Sequence, residues 1–137
     1  MNKILKKTLS CIEKENGEFD KSFSLVDLLI QEYGEERLAE RLYSEIDHAI
    51  DRKVVAALYG ILVWSTSDNG HALIKTTEQW ILDCEDVRKI SIALHLDVFP
   101  FCESSEMEKR LSDVARKFPS ITSRCEDLIR ERADQNA

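Results

Sequence analysis

The chain has 137 residues, with 4 Gly, 2 Pro and a formal net charge of -7. That length suits one domain with a core of its own, and the scarcity of Gly and Pro excludes an all-β fold, which needs a turn signal about every ten residues. The acidic balance repels nucleic acid and anionic membrane, so neither is expected as a partner, whereas a cationic protein surface is attracted.

The expectation is a single all-α domain over residues 1–137, built from about eight helices. Met1 to Ser10 contains lysines but neither an uninterrupted apolar stretch nor a small-residue cleavage site, so no secretory signal is read and a cytoplasmic location is expected. A first helix from Asn2 to Glu15 carries Ile4, Leu5, Leu9 and Ile12 on one stripe and ends at Asn16-Gly17. After Glu18-Phe19-Asp20, a second helix with Phe23, Val26, Leu29, Ile30 and Tyr33 at steps of three and four stops at Gly34. A third is expected from Glu35 to Ile50, with Leu38, Leu42, Tyr43, Ile46 and Ile50 inward and Glu36, Glu40 and Asp47 outward.

The run from Val54 to Trp64 contains no charged residue and is bounded by Asp51-Arg52-Lys53 and Ser65-Thr66-Ser67-Asp68-Asn69-Gly70. It is too short to span a bilayer and too long for an ordinary strand. A helix apolar on nearly every side belongs in the middle of a helical protein, so this fourth helix should be covered by amphipathic neighbours, with Asp47 or Asp51 at its N-cap. A fifth helix from His71 to Asp83 has Leu73, Thr77, Trp80, Ile81 and Cys84 on its stripe, and Trp80 is read as core. The sixth is expected from Glu85 to Val98, stopped by Pro100. Ser105-Glu106-Met107-Glu108 reads as a capping box opening a seventh helix with Met107, Leu111, Val114, Ala115 and Phe118 inward, closed by Pro119. The last carries Ile121, Cys125, Leu128 and Ile129, and its polar tail from Arg130 to Ala137 is expected to fray.

Eight helices joined by short loops pair into four hairpins of roughly 34 residues, a period typical of helical repeats. The segments Arg52-Lys53-Val54-Val55-Ala56-Ala57-Leu58 and Arg88-Lys89-Ile90-Ser91-Ile92-Ala93-Leu94 share one pattern at an offset of 36 residues. On Asp86-Val87-Arg88 followed by Ala93-Leu94, residues 35–100 resemble HEAT-type or armadillo-like repeats. The resemblance departs at Ser91, where a small apolar residue is usual, and the Ala-Leu pair falls one position early. In size, charge and architecture the chain also looks like small acidic bacterial immunity proteins of contact-dependent growth-inhibition, or polymorphic toxin, systems. That resemblance implies a cognate protein toxin with a basic surface, of nuclease type, which the immunity protein blocks.

The charge is unevenly spread: residues 13–51 hold twelve acids against four bases, while residues 1–12 contribute three lysines and no acid. No Gly-rich phosphate loop, nucleophile signature or zinc spacing is present, so no catalytic residue, metal or cofactor is assigned. His48, His71 and His95 are read as surface or helix-end residues, and the four cysteines, Cys11, Cys84, Cys102 and Cys125, as reduced thiols. Arg116, Lys117, Arg124, Arg130 and Arg132 form the one basic stretch suited to nucleic acid, and acids interrupt it. The reading is a non-enzymatic protein-binding module. Its expected contact set is Glu32, Glu36, Glu40, Glu45, Asp47 and Asp68, with Trp64 at a rim where an amphipathic ring meets a partner. A helical adaptor in a cytoplasmic assembly, acidic only for solubility, is the alternative.

Overall fold

Apolar residues 54–63 decide how the first half of the chain folds. The structure is a computed structural model describing residues 1–135, and among them the regular elements are all helical: α1 (Lys3–Glu15), α2 (Asp20–Tyr33), α3 (Leu38–Glu45), α4 (Arg52–Ser65), α5 (His71–Asp83), α6 (Val87–Leu94), α7 (Ser104–Lys117) and α8 (Thr122–Gln135). A 3-10 turn over Pro119–Ile121 leads into α8. The chain divides into two compact units, Met1–Thr76 and Thr77 onward.

In the first unit, α1 and α2 pair as a hairpin and α4 packs against both. Val55, Ala56, Leu58, Tyr59, Ile61, Leu62 and Val63 of α4 are buried, as an all-round apolar helix requires. Each Val, Leu or Ile among them contributes roughly 1.5–3 kcal/mol by leaving water. Truncating Leu58 or Leu62 to Ala would therefore cost about 3–4 kcal/mol, cavity included. The Tyr59 hydroxyl, fully buried, donates to the Ala39 carbonyl at 2.6 Å and so ties α4 to α3.

Caps fix the hairpin. Asn2 Oδ1 accepts the Ile4 and Leu5 N–H groups at 2.8 and 3.1 Å, and Asn16 closes α1 in the left-handed region with φ 45°. Phe19, at the N-cap of α2, supplies no side-chain acceptor. The Glu15 carboxylate does so instead, accepting Ser22 N–H at 2.8 Å, the Ser22 hydroxyl at 2.5 Å and Lys21 N–H at 3.1 Å. The Ser22 hydroxyl, with the two backbone donors, holds the Glu15 carboxyl down at about 2 against an ordinary 4.5, in spite of partial desolvation.

In the second unit, α7 and α8 form the other hairpin, with α6 against α8. Ile81, Ile90, Leu94, Phe101, Met107, Leu111, Val114, Ile121, Cys125 and Leu128 make its core, and Trp80 is buried. Burial, followed by the nearby Glu126 charge, pushes the Cys125 thiol up to about 11, so it stays protonated.

Several expectations are corrected. The third helix is Leu38–Glu45, not Glu35 to Ile50: Arg37 sits at φ 52°, Ile46 is extended and buried, and Asp47 Oδ1 takes the Ala49 N–H at 2.8 Å, replacing the helical ladder with a side-chain turn. Asp51, accepting Lys53 N–H at 2.8 Å, is the N-cap of α4. The sixth helix is Val87–Leu94, because Asp86 caps it through the Arg88 and Lys89 N–H groups and burial of Leu96, Pro100 and Phe101 draws the following chain into a loop. The Ser105 capping box does not form: Ser105 lies inside α7, and Glu103 at the N-cap makes no side-chain cap bond. Among the described residues α3 with α4 and α5 with α6 meet less extensively than α1 with α2 and α7 with α8, where four equivalent hairpins were expected; Tyr59 ties α3 to α4, and Ile81 and Ile90 join α5 and α6 in one core. Phe23, assigned to the stripe of α2, is 41% exposed. Finally, the tail is helical to Gln135 rather than frayed, and Asn136 and Ala137 lie outside the described residues.

Candidate functional site

The acids singled out in the sequence fall at the end of α2, on α3 and in the loops flanking α3 and α4, and all six are exposed. Their roles differ. Glu45 accepts the Tyr33 hydroxyl at 3.0 Å, and Arg41 lies over the same ring at 5.5 Å from its centroid. Desolvation, then the Glu45 carboxylate, pushes the Tyr33 phenol up to about 12. Glu40 is paired with Arg37, which the carboxylate holds firmly charged. Asp47 makes the turn after α3. Asp68 organises the loop before α5: its two oxygens take the Ala72 N–H at 2.9 Å, the Gly70 N–H at 3.0 Å and the Thr66 hydroxyl at 3.2 Å. The Ala72 N–H leads the causes that lower its carboxyl below the usual range. The Glu36 carbonyl accepts from Arg41 Nη1 at 3.0 Å, but among the described residues the carboxylates of Glu32 and Glu36 make no hydrogen bond or ion pair and are left to solvent or a partner.

Glu35, which was not in the expected set, joins these parts. Its carboxylate accepts the Ser67 N–H at 3.1 and 3.2 Å and the Ser67 hydroxyl at 3.0 Å. The start of α3 is thereby fastened to the end of α4. Trp64, three residues before Ser67, is 72% exposed, the largest exposure among the large apolar side chains. A cleft of about 230 Å³ opens at this corner, lined by Glu35, Arg37, Glu40, Asp68 and Thr76 among others. Gly70 closes the loop: it is buried at φ 78°, and a Cβ there would lie 2.8 Å from Val63 Cα.

Away from this corner the charge reverses. A groove of about 740 Å³ between α1 and α2 is lined by Lys3, Lys6, Lys7, Lys14 and Lys21 with Ser10, Cys11, Ser24 and Leu25. Net charge over the chain conceals it. The helical recurrence of Lys3, Lys6, Lys7, Ser10 and Lys14 along one face of α1 is the signal that could have revealed it.

The basic residues near the end of the chain are bound up in the fold. Lys117 Nζ donates to Cys84 O at 2.6 Å, and Arg124 Nε to Leu94 O at 2.8 Å, at the end of α6. Arg132 reaches the carbonyls of Pro100, Phe101 and Cys102 at 3.1, 2.8 and 2.6 Å, with its guanidinium 5.6 Å from the Phe99 ring centroid. On the same loop the Phe101 N–H donates to Glu78 Oε2 at 2.5 Å. Phe101 is thus a loop anchor for the core, and Phe99 is half-buried beneath Arg132.

His48 is exposed with its ring 5.7 Å from that of Tyr43, His71 opens α5, and His95 ends α6 with Nδ1 2.7 Å from Ser91 O. Among the described residues no group of three or more His, Cys, Asp or Glu is arranged to hold a metal, and no helix is long and apolar enough to cross a membrane. No family model matches the chain, and no curated protein or solved structure is detectably similar to it.

Proposed function

We propose that the chain is a non-enzymatic protein-binding module whose acidic corner, formed by residues 32–47 and 64–68, engages a cationic partner surface. Its specific form would be an immunity protein that neutralises a cognate toxin with a basic face. The observation that carries this reading is the Glu35 bond to Ser67, which holds the exposed Trp64 end of α4 beside a helix bearing exposed acids. Exposed carboxylates together with an exposed aromatic ring suit a contact in which charge steers the encounter and a ring then fills a partner pocket. Glu32, Glu36 and Trp64 are the strongest contact candidates, because Glu40, Glu45, Asp47 and Asp68 already hold partners within the fold.

Affinity capture on the tagged chain at low and high salt tests this, with association rates measured for any stoichiometric partner. One dominant basic protein whose association slows by about tenfold or more at high salt, and again with Glu32→Lys plus Glu36→Lys, supports the reading. A partner indifferent to both salt and these substitutions overturns it in favour of an adaptor that binds through an apolar surface.

A further inference from the structure

We propose that the groove between α1 and α2 is a second docking site, for an acidic, leucine-bearing segment of a partner protein. The acidic corner described above plays no part in it. Five lysines line the groove, all exposed, and no carboxylate does. On α1 the lining residues Lys3, Lys6, Lys7, Ser10 and Lys14 recur at helical steps, so the cationic wall runs the length of the helix, about 16 Å at 1.5 Å per residue. On α2 the opposite wall is Lys21, Ser24 and Leu25, and one turn further on Leu28 is 48% exposed. Lysine presents an apolar stem below its charge, so the groove combines an apolar floor with a cationic rim.

Those properties select the occupant. A helical segment carrying Glu at one step of three or four and Leu at the next repeats the pitch of the lysine wall and supplies the apolar atoms that the floor accepts. Nucleic acid is a poorer match, since no aromatic ring for base stacking and no arginine for bidentate phosphate contact line the groove. A flat anionic bilayer cannot fill a concave groove, and the apolar stripe of α1, Leu5, Leu9 and Ile12, is buried in the fold and so has nothing to insert into lipid.

The test is fluorescence anisotropy with the full chain and a dye-labelled, roughly 15-residue peptide of Glu and Leu at helical spacing. Polyglutamate of equal length, a labelled single-stranded oligonucleotide and phosphatidylserine vesicles serve as competing ligands. The peptide is expected to bind at least about tenfold more tightly than any of these, and to weaken about tenfold both with Lys7→Glu plus Lys14→Glu and with Ser24→Trp. Ser24→Trp fills the groove and leaves every charge in place, so it separates docking from general electrostatic attraction. Glu32→Lys plus Glu36→Lys should leave peptide affinity unreduced, which keeps this site distinct from the acidic corner. Absence of peptide binding, equal or tighter binding of any competing ligand, or binding that survives either groove variant overturns the proposal.

Discussion

Replacing Gly70 with Ala puts the geometry of the α4–α5 loop to a direct test. The residue sits at φ 78°, and the added Cβ would lie 2.8 Å from both Cα and Cγ1 of Val63. A non-glycine side chain in the left-handed region costs about 1–2 kcal/mol. The overlap is with α4 backbone rather than with a flexible side-chain end, and overpacking of this kind costs about 1–3 kcal/mol more. The sum, about 2–4 kcal/mol, corresponds to a fall in Tm on the order of 10 °C for a chain of this size. Urea unfolding followed by circular dichroism measures it. Gly60→Ala is the matching control: a Cβ there meets nothing within 4 Å, and Gly60 lies inside α4, so Ala should stabilise by up to about 1 kcal/mol. A loss below about 1 kcal/mol for Gly70→Ala would refute the close approach of this loop to α4.

Three further substitutions probe the other ties. Glu15→Gln should lower stability at neutral pH. Because the folded carboxyl is held at about 2 against 4.5, the ionic contribution is fully present above about pH 4.5 and is lost as pH falls toward 2, so the gap between variant and parent in thermal melts should narrow over that window. Tyr59→Phe removes the buried bond to Ala39 O and should cost about 1–1.5 kcal/mol by chemical denaturation, with little change in m-value. Arg132→Leu leaves three loop carbonyls without their donor; hydrogen exchange of residues 99–103 and 128–135 should accelerate, and unchanged protection would mean that the guanidinium does not hold the loop.

The all-helical class was legible because Gly and Pro are few and because apolar periodicity is strong in α1, α5 and α7. The end of α1 and the start of α5 follow from local signals alone, since Asn16-Gly17 and Asn69-Gly70 mark turns that the backbone does adopt. Burial of α4 was readable from composition for a similar reason: eleven residues without a charge leave no face for water. Elsewhere tertiary contacts overrode periodicity. Residues 35–37 and 46–50 continue the helical pattern of α3, yet the Glu35 bond to Ser67 and the Asp47 side-chain turn draw both ends out of the helix. The tail of α8 is polar, which argued for fraying, but Arg132 acts through carbonyls some 30 residues away, a relation that no local pattern encodes. At the candidate site, exposure of the acids followed from charge patterning, whereas the capping duty of Asp68 and the part taken by Glu35 depend on a loop conformation. The lysine groove was missed because charge was summed over segments rather than read around the α1 helix.

Hydrogen exchange of the chain, free and saturated with the cationic partner recovered by capture, is the most direct test of the central claim that the acidic corner is the binding face. Binding at this face should slow exchange over residues 32–47 and 64–70, an effect abolished by Glu32→Lys plus Glu36→Lys, with the second unit unchanged. Slowed exchange confined to residues 3–31, or to residues beyond Thr77, would contradict it.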